Sequence, residues 1–489
     1  MTPYDQLRAI DAPIPADRQG AKRHYGVHPY FTRRPFNVVR RYIEHYSREG
    51  DRVLDPFGGS GVTAIEAFLS NRVGIQNDIN PLANFIAQGI ADLSKGNIAD
   101  YRAALSRVCD CCESRVLALN ELADPEVARL LERLPLPEDV PLPANADVQR
   151  YHELFSPRQL AALAIIREAV DEISDRYERS AMQLAWSATL TKINRTFLSA
   201  EGRAESRGGS SIFSIYRYKV AANPVELPPW PTFHERAQNV LAAKVEIDRE
   251  IDYRERAGGF CGKFETHQCD IADLRECIPS VDYIFTDPPY GGHISYLDLS
   301  TLWNAWNRTM PSEEHRQREL IVGGDLNLSE DLYVKRLHES IQACFALLKP
   351  KRWLSIVFQH WSTAYFDAIL TAAAHAGGDL RAAISQIGDP IWSMHKKKSK
   401  RSVLAGELIL TFLKTGKSKT VDADKLFDTE AAIARVLSDA PNGVVYGEYL
   451  LNRIVVDAWR SGALGSLDID RAEFASMIEA QGWTYDERA

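Results

Sequence analysis

Short apolar runs alternate with amphipathic stretches in two separate parts of the chain, residues 22–94 and 263–415. An apolar run of about four to eight residues predicts a buried strand, and apolar residues three or four positions apart predict a helix. Residues 95–262 instead carry long helical periodicity, broken by a proline-rich piece at 134–143. The pattern therefore predicts an α/β core divided by a large, mostly helical insertion.

The two ends of the chain and the individual elements follow from the same pattern. We predict an N-terminal arm at 1–21 and a small helical C-terminal domain at 416–489. The last two strands flank a lysine-rich connection and are typical of an antiparallel edge on a parallel sheet. The predicted strands span 52–54, 73–78, 264–270, 281–285, 353–358, 383–387 and 407–413. The predicted helices span 38–46, 64–68, 101–122, 157–190, 298–307, 332–348 and 366–376.

A glycine-rich turn follows the first predicted strand. Residues 55–61 read Asp-Pro-Phe-Gly-Gly-Ser-Gly and lead into the helix at 64–68. A strand, such a turn and a helix make the first half of a nucleotide-binding unit, in which N–H groups at the start of the helix bind a carboxylate or phosphate. Asp78 ends the next strand, where an acid can bind both ribose hydroxyls of an adenosine cofactor. The turn lacks the Gly-Lys-Ser/Thr ending of a triphosphate-binding loop, so a dinucleotide and S-adenosylmethionine both stay open.

The strand predicted at 281–285 ends abruptly in Thr-Asp-Pro-Pro-Tyr-Gly. Two prolines cannot continue a β ladder and they stiffen the backbone, so Asp287 and Tyr290 lie in a rigid loop at the carboxyl end of a strand. Asp287 and the carbonyl of Pro288 can accept hydrogen bonds from an exocyclic NH2 group, while the Tyr290 ring can stack on the heterocycle that carries it. A polar turn after a core strand is the alternative. The loop predicts a site for a planar, amine-bearing substrate.

The net charge of −8 does not favour a nucleic-acid partner, but binding depends on local basic surface rather than on the total. Basic residues are dense at Arg33-Arg34 with Arg40-Arg41, in a Gly/Ser/Arg-rich piece between Thr191 and Tyr218, and in a lysine run at 396–401. Basic side chains among glycines and aromatics suit a nucleic-acid backbone, and solvated surface is the alternative for each. The candidate nucleic-acid contacts are Asn194, Arg195, Arg203, Arg207, His293, Lys396, Lys397, Lys398, Lys400 and Arg401.

Cysteines and targeting segments narrow the class of protein. The seven cysteines do not form a disulfide framework, and Cys109, Cys111 and Cys112 are followed by no Cys-x-x-Cys partner pair, so we predict no metal site. No apolar run approaches the length that spans a bilayer, and the N-terminal residues lack a signal peptide's basic and apolar regions. The chain is predicted to be cytoplasmic, without a membrane partner.

The two motifs together resemble those of the amino-group DNA methyltransferases, which use S-adenosylmethionine. Residues 55–61 resemble that family's cofactor loop, and 286–290 its catalytic loop. The stretch His-Pro-Tyr-Phe-Thr-Arg-Arg-Pro at 28–35 looks like the segment that holds the methionine end of the cofactor. The resemblance implies a Rossmann-like class I methyltransferase sheet of the α/β class, with a large mostly helical insertion and a small helical C-terminal domain. It also implies S-adenosyl-L-methionine as cofactor and double-stranded DNA as partner.

The resemblance assigns roles residue by residue. Asp78 falls where the family has its ribose-binding acid, and Asp270 where it has an acid near the adenine ring. The implied catalytic residues are Asp287, Pro288, Pro289 and Tyr290. The implied cofactor-binding residues are Tyr30, Phe31, Thr32, Pro35, Asp55, Pro56, Phe57, Gly58, Gly59, Ser60, Gly61, Asp78, Ile79, Asp270 and Ile271.

The order of the motifs departs from part of the family. The cofactor motif precedes the catalytic one in this chain. The sequences of 28–35 and 55–61, however, resemble those of family members in which the catalytic motif comes first. The chain therefore looks like a permuted relative. That departure leaves its target-recognition residues unassigned, and the insertion at 95–262 is the candidate region for them.

The predicted reaction is methyl transfer to adenine N6 of a flipped base, because an aspartate at the first position of the loop is commoner among the family's adenine enzymes. A cytosine-N4 DNA enzyme and a tRNA guanine-N2 enzyme are the alternatives, with the same chemistry. Cytosine carbon-5 chemistry needs a cysteine nucleophile, which this loop lacks. A silent nucleic-acid-binding scaffold and a NAD-linked dehydrogenase explain the two motifs less well. A restriction or defence-system partner would suit such an enzyme.

Overall fold

A mostly parallel β-sheet forms the centre of the molecule. The computed structural model describes residues 2–17, 22–198, 209–220, 226–292, 294–386, 407–418, 426–438, 447–467 and 471–482. Within these residues, one sheet has seven strands and a separate ribbon has two. The strands are β1 (Arg52–Asp55), β2 (Val73–Asn77), β3 (Phe197–Leu198), β4 (Gly209–Ser210), β5 (Lys263–His267), β6 (Val281–Thr286), β7 (Leu348–Phe358), β8 (Gly378–Gln386) and β9 (Glu407–Lys414). β3 and β4 make the ribbon.

The strand order across the large sheet is β5-β2-β1-β6-β7-β9-β8. β9 runs antiparallel to both of its neighbours, and the other adjacent pairs are parallel. The chain passes from β1 to β2 on one side and later returns to β6 on the other side of β1, so the strand order reverses there. Open α/β sheets bind ligands at the carboxyl ends of the strands flanking such a reversal. The predicted Rossmann-like α/β core is confirmed.

Helices cover both faces of the sheet and build the insertion and the C-terminal part. In chain order they are α1 (Phe36–Tyr46), α2 (Val62–Leu69), α3 (Pro81–Asp92), α4 (Ile98–Ala118), α5 (Asp124–Leu131), α6 (Pro157–Asp171), α7 (Arg176–Leu190), α8 (Ser211–Ser214), α9 (Pro229–Ala257), α10 (Ile271–Cys277), α11 (Tyr296–Leu299), α12 (Thr301–Asn307), α13 (Glu313–Arg318), α14 (Glu330–Leu347), α15 (Thr363–His375), α16 (Thr429–Ser438), α17 (Gly447–Ser461) and α18 (Arg471–Ala480). Short 3-10 helices span Tyr4–Gln6, Arg23–Gly26, Tyr151–Leu154 and Leu464–Ser466. None of the described helices combines the length and apolar character needed to cross a bilayer.

Each face of the sheet packs into its own hydrophobic core. Side chains alternate along a strand, so Tyr283 and Phe285 of β6 enter one core while Ile284 enters the other. The first core also contains buried residues of the insertion, such as Trp186 on α7. The second contains residues of the C-terminal part, such as Ile454 on α17. Both added regions are therefore continuous with the packing of the sheet.

Two predicted helices are interrupted in the structure. The stretch 157–190 forms α6 and α7, and at the start of α7 the side chain of Asp175 accepts hydrogen bonds from the N–H groups of Tyr177 and Glu178 at 2.8 and 3.0 Å. An aspartate in that position favours a helix start because its oxygen satisfies N–H groups that have no helical partner. The stretch 298–307 likewise divides at Ser300 into α11 and α12.

The described part of the N-terminal arm lies against the sheet. The ring of Tyr4 lies between the guanidinium groups of Arg48 and Arg352, which are 4.1 and 3.5 Å from its centre. Farther along, the N–H of Ile14 donates to Oε1 of Gln386 at 3.0 Å. Gln386 is the last residue of β8 and also lines the large cavity described below. The arm therefore contacts the sheet at the edge of that cavity.

Candidate active site

A cavity of about 1010 Å³ opens at the carboxyl ends of β1, β2, β5 and β6. Ligand pockets typically have volumes of about 300 to 1,000 Å³, so this cavity has room for more than one small ligand. It brings together the glycine-rich turn, the acids after β2 and β5, and the Pro-Pro loop. The predicted site residues that line it are Tyr30, Thr32, Pro35, Asp55, Pro56, Phe57, Gly58, Gly59, Ser60, Asp78, Ile79, Asp270, Ile271, Asp287, Pro288, Pro289 and Tyr290.

Two predicted cofactor residues lie behind the cavity wall. Phe31 is buried and packs edge-on against the Tyr30 ring, with ring centres 5.2 Å apart. Gly61 has a φ of +86° and immediately precedes α2. A Cβ on Gly61 would come within 2.5 Å of the Cβ of Ala87 on α3, so glycine is required there both for the backbone and for the approach of the two helices. Phe31 and Gly61 therefore pack behind the residues that line the cavity and do not line it themselves.

Asp55 joins the glycine-rich turn to the Pro-Pro loop. Its Oδ2 accepts a hydrogen bond from the Thr63 hydroxyl at 2.8 Å, and its Oδ1 accepts from the Thr286 hydroxyl at 2.9 Å and from the N–H of Phe57 at 3.2 Å. Burial raises the pKa of Asp55 to about 7, and the three donors act against that rise. Thr286 directly precedes Asp287, so this carboxyl group fixes the distance between the two motifs. A cofactor contact for Asp55 stays a prediction.

Asp78 holds the glycine-rich turn against the end of β2. Its Oδ2 accepts the N–H of Gly59 at 2.9 Å and its Oδ1 accepts the N–H of Asn80 at 2.8 Å. Burial raises the pKa of Asp78 to about 6, against those two hydrogen bonds. A carboxylate offers about four lone-pair positions, so two remain after these contacts for hydroxyl donors in the cavity.

Asp270 borders the cavity on the side of β5. The predicted strand at 264–270 ends earlier, at His267, and Asp270 instead precedes α10, where its Oδ1 accepts the N–H of Ala272 at 2.8 Å. The neighbouring Ile271 is buried and lines the same wall. An acid beside an apolar wall suits the amine-bearing edge and the face of a heterocycle.

The Pro-Pro loop leaves β6, a strand whose residues are all buried. The hydroxyl of Tyr290 donates to Oδ1 of Asp287 at 2.6 Å, and the Tyr290 ring meets that of Phe358 edge-to-face with centres 5.0 Å apart. From α14, the Tyr333 hydroxyl donates to the carbonyl oxygen of Pro289 at 2.6 Å. The loop is therefore held from both sides, with Asp287 and Tyr290 on the cavity wall.

Sequence reasoning missed Arg34 and Glu407, which complete this end of the site. Arg34 Nε donates to Oδ2 of Asp287 at 2.5 Å, and its Nη2 donates to the Tyr290 hydroxyl at 2.7 Å. Its Nη1 forms an ion pair with Glu407 at the start of β9. Burial raises the pKa of Asp287, and the Arg34 cation opposes that rise. The paired arginines at 33 and 34 were a visible signal, but nothing in the pattern linked them to residue 287.

The candidate nucleic-acid contacts are described only in part. Asn194 is fully buried, with its Nδ2 donating to the carbonyl of Leu190 at 2.5 Å and its Oδ1 accepting the N–H of Thr196 at 2.8 Å. Arg195 is partly exposed and donates to the carbonyl of Glu153 at 3.1 Å. Their contact with nucleic acid stays a prediction. Outside the described residues lie Arg203, Arg207, His293, Lys396, Lys397, Lys398, Lys400 and Arg401.

Two residues of the insertion that were not among the predicted site residues reach the cavity. Ile215 and Tyr216 follow α8 and line the rim. Ile215 is 42% exposed, and Tyr216 has a φ of +53°, a left-handed conformation that is strained for an aromatic residue. Backbone strain of this kind concentrates at functional sites. The insertion therefore contributes directly to the entrance of the site.

A buried carboxyl group on the cavity wall makes stability depend on pH. Glu319 accepts the N–H of Leu297 at 3.0 Å, and burial raises its pKa to about 8. A raised folded-state pKa stabilises the fold below the unfolded-state pKa, and that stabilisation is lost as pH rises through the folded value. We expect Glu319→Gln to flatten the fall in unfolding free energy between pH 5 and pH 8. Chemical denaturation across this range measures it.

The exposed Glu313, which starts α13, provides the control for this prediction. Glu313→Gln removes the same charge from the surface and should leave the pH dependence of the wild type in place. Equal slopes for the wild type and Glu319→Gln would contradict the role given to the buried carboxyl group.

Comparison with known proteins identifies a protein family whose model matches part of this chain. The N6_N4_Mtase family model, described as DNA methylase, matches residues 13–87. A search of curated proteins finds no match. Among solved structures, the chain is similar to a protein of Listeria monocytogenes described as a class I S-adenosylmethionine-dependent methyltransferase, with 12% identity over 47% of this chain and 53% of that one, at a TM-score of 0.19.

The chain thus spans about half the length of that solved relative, and the low TM-score adds no support of its own. The family match is more specific, because residues 13–87 include the 28–35 stretch, the glycine-rich turn and Asp78. Residues of all three parts line the cavity. Over residues 13–87, the chain is similar to the DNA methylase family described by N6_N4_Mtase.

Proposed function

We propose that this protein transfers a methyl group from S-adenosylmethionine to the exocyclic amine of a flipped DNA base, adenine N6. One observation carries the proposal. A single cavity is lined by Asp78 after β2, by Asp270 after β5 and by the Asp287–Tyr290 loop after β6, and β1 lies between β2 and β6 in the sheet. Ligands bound beside Asp78 and beside Asp287 would therefore share one continuous space, as direct transfer between them requires.

The cavity residues suit S-adenosylmethionine. Asp78 retains acceptor positions for ribose hydroxyls, and Asp270 with Ile271 suits the amine edge and face of the adenine ring. The N–H groups at the start of α2 lack a side-chain cap and suit the methionine carboxylate. When bound, the cofactor supplies an electrophilic methyl group on a sulfonium.

The residues of the Pro-Pro loop would prepare the amine. An exocyclic amine is a weak nucleophile because its lone pair is delocalised into the ring. Asp287 and the carbonyl of Pro288 would accept its two N–H bonds and favour a tetrahedral nitrogen, whose lone pair then points away from both acceptors. Asp287 need not take a proton before transfer. Its role is to hold the amine in the reactive geometry, which stabilises the transition state more than the free base.

The target base has to leave the duplex to reach this loop. Enzymes that modify bases turn the nucleotide out of the stack and bind it between aromatic or apolar groups. Tyr290 offers its ring on the cavity wall, and the edge-to-face contact with Phe358 supports that ring from behind. The Tyr290 ring would therefore stack on the flipped base.

The cysteine that lines the cavity is unsuited to carbon-5 chemistry. Cys269 lines the cavity on the β5 side, with its Sγ 3.4 Å from Oδ1 of Asn77. Burial raises the pKa of the Cys269 thiol to about 12, whereas a cysteine nucleophile needs a readily formed thiolate. Transfer to an exocyclic nitrogen is the chemistry that these residues support.

The target nitrogen is tested by the product. Genomic DNA lacking methylated bases is incubated with the protein and S-adenosylmethionine, digested to nucleosides and examined by mass spectrometry. We expect N6-methyladenine. N4-methylcytosine alone would keep the fold, cofactor and amino-group chemistry and overturn the choice of base.

The rim residues of the insertion give a test of the DNA partner. We expect Ile215→Ser to raise KM for duplex DNA by roughly threefold to tenfold, because an exposed aliphatic side chain at the entrance would be buried against the distorted duplex. The dissociation constant for the cofactor should stay within about twofold. Steady-state kinetics and calorimetry measure the two quantities.

A matched control lies on α4, where Leu117 is 46% exposed on the same insertion but is absent from the cavity lining. Leu117→Ser should leave both constants unchanged. A KM for DNA that rises equally in both variants would argue against an entrance at Ile215.

A further inference from the structure

Arg34 binds three groups of the catalytic end through separate nitrogen atoms. Nε contacts Asp287, Nη2 contacts the Tyr290 hydroxyl, and Nη1 contacts Glu407. The side chains of Arg34, Asp287 and Glu407 are each 15 to 20% exposed. One planar cation thus lies between two carboxylates at the place where the base would bind, and in the described part of the chain its three nitrogens contact side chains.

The adjacent Arg33 shows what a structural arginine looks like here. Its guanidinium donates to the carbonyl oxygens of Tyr25 and His28, and its Nε donates to the Ser60 hydroxyl at 3.0 Å. Those contacts tie the 28–35 stretch to the glycine-rich turn. Arg34 makes its contacts instead with ionisable groups that line the cavity.

The chemistry of the amine requires Asp287 in one protonation state. An ionised carboxylate only accepts hydrogen bonds, whereas a protonated one would place a donor against the donor amine. Burial favours the protonated form of Asp287, and so does the negative charge of Glu407, while Arg34 favours the ionised form. Among the described residues, the titratable or charged groups that act on Asp287 include Arg34, Glu407, Tyr290, Asp55 and Tyr296, and Arg34 is the cation of this group.

We propose that Arg34 is a positioning residue that keeps Asp287 ionised and turned towards the target amine, and that Glu407 sets how strongly it does so. The proposal rests on the proposed function, because it assumes that Asp287 accepts hydrogen bonds from the base. Each Asp287 oxygen retains a lone pair after its contacts with Arg34 and Tyr290. The amine can therefore bind without displacing the arginine.

Opposite shifts in the pH dependence of transfer test this proposal. The single-turnover rate is measured from pH 5 to pH 9 with saturating cofactor and DNA. Arg34→Met should move the acidic limb to higher pH by roughly one to three units, the usual effect of a close opposite charge. Glu407→Gln should move it to lower pH, because it removes a negative charge beside Asp287. Arg34→Lys keeps the charge but not the planar fork, and should restore the limb while the rate stays below wild type.

A merely structural arginine gives a different result. Arg34→Met would then lower the melting temperature and the affinity for the cofactor, and the surviving activity would keep the wild-type pH midpoint. That outcome, or shifts of the same sign in Arg34→Met and Glu407→Gln, would overturn the proposal. Arg34→Lys and Glu407→Gln keep the test decisive if Arg34→Met does not fold.

A second readout separates this inference from the proposed function. Infrared difference spectra against Asp287→Asn follow the carboxyl C=O stretch of Asp287 without any catalysis. If the wild type methylates no DNA at any pH, the proposed function fails, and opposite shifts of the infrared midpoint would still establish the Arg34 effect on ionisation. Infrared midpoints that coincide in all variants would overturn the inference even in an active methyltransferase.

Discussion

Asp287→Ala is expected to abolish methyl transfer, lowering the single-turnover rate by roughly a thousandfold or more. The substitution removes the acceptor that would hold the target amine, and it leaves Arg34 beside Glu407 with one partner fewer. Asp287 follows β6 and Asp78 follows β2, with β1 between the two strands, so the dissociation constant for the cofactor should stay within a few fold. Transfer of labelled methyl to DNA and calorimetry with S-adenosylmethionine measure the two effects.

The exposed Asp171, which ends α6 and pairs with Arg167, provides the control carboxylate. Asp171→Ala should keep the wild-type rate. Transfer that persists in Asp287→Ala within about tenfold of wild type would remove Asp287 from the mechanism. Asp287→Asn refines the result, since its amide keeps one acceptor but adds a donor that opposes the amine.

Asp78→Ala is expected to weaken cofactor binding by roughly tenfold to a hundredfold, while the rate at saturating cofactor falls much less. A hydrogen bond to a charged group contributes about 1.5 to 3 kcal/mol, and each 1.4 kcal/mol is a factor of about ten. The substitution also frees the N–H groups of Gly59 and Asn80, which Asp78 now holds. Calorimetry gives the affinity, and single-turnover kinetics at raised cofactor concentration gives the rate.

The contrast between the two variants is the test of their separate roles. Asp78→Ala should affect chiefly the affinity for the cofactor, and Asp287→Ala chiefly the rate. Equal losses of cofactor binding in both would mean that the two carboxylates serve one subsite. That result would contradict the division of the cavity into a cofactor end and a base end.

Local pattern was sufficient to predict the elements that position the site. The runs at 52–54, 73–78 and 281–285 are short and apolar because their strands are buried, and each is followed by residues that stop a strand. Asp55 follows the first run directly, Asp78 is the last residue of the second, and Asp287 lies two positions after the third. Parallel strands place such residues at one edge of a sheet, which is why the cavity could be anticipated from the sequence.

The partners of those acids could not be predicted from local pattern. Arg34 and Asp287 are 253 positions apart, and Thr286 and Asp55 are 231 apart. Contacts over such separations depend on the register of strands and on how the insertion packs, and neither leaves a periodic signal in one sequence. The sequence predicted that Glu407 begins a strand, but it did not indicate the ion pair between Glu407 and Arg34.

In the insertion, residue type alone did not predict which side chains reach the site. Asn194 lies beside a Gly/Arg-rich stretch, a composition that suits nucleic acid. Its side chain instead forms hydrogen bonds with the backbone of Leu190 and Thr196. Asparagine often bonds to nearby backbone groups, so its type alone does not distinguish a buried local contact from a surface one. Tyr216, which does reach the cavity, carries its signal in a positive φ that only the structure shows.

The identity of the methylated nucleic acid tests the proposed methyl transfer to DNA most directly. Labelled S-adenosylmethionine is supplied with unmethylated duplex DNA in one reaction and bulk tRNA in another, and the products are digested to nucleosides for mass spectrometry. We expect label in the DNA, as N6-methyladenine, and none in the tRNA. Label in the tRNA alone would contradict the DNA assignment while leaving the fold and cofactor in place, and label in neither would contradict the proposed transfer itself.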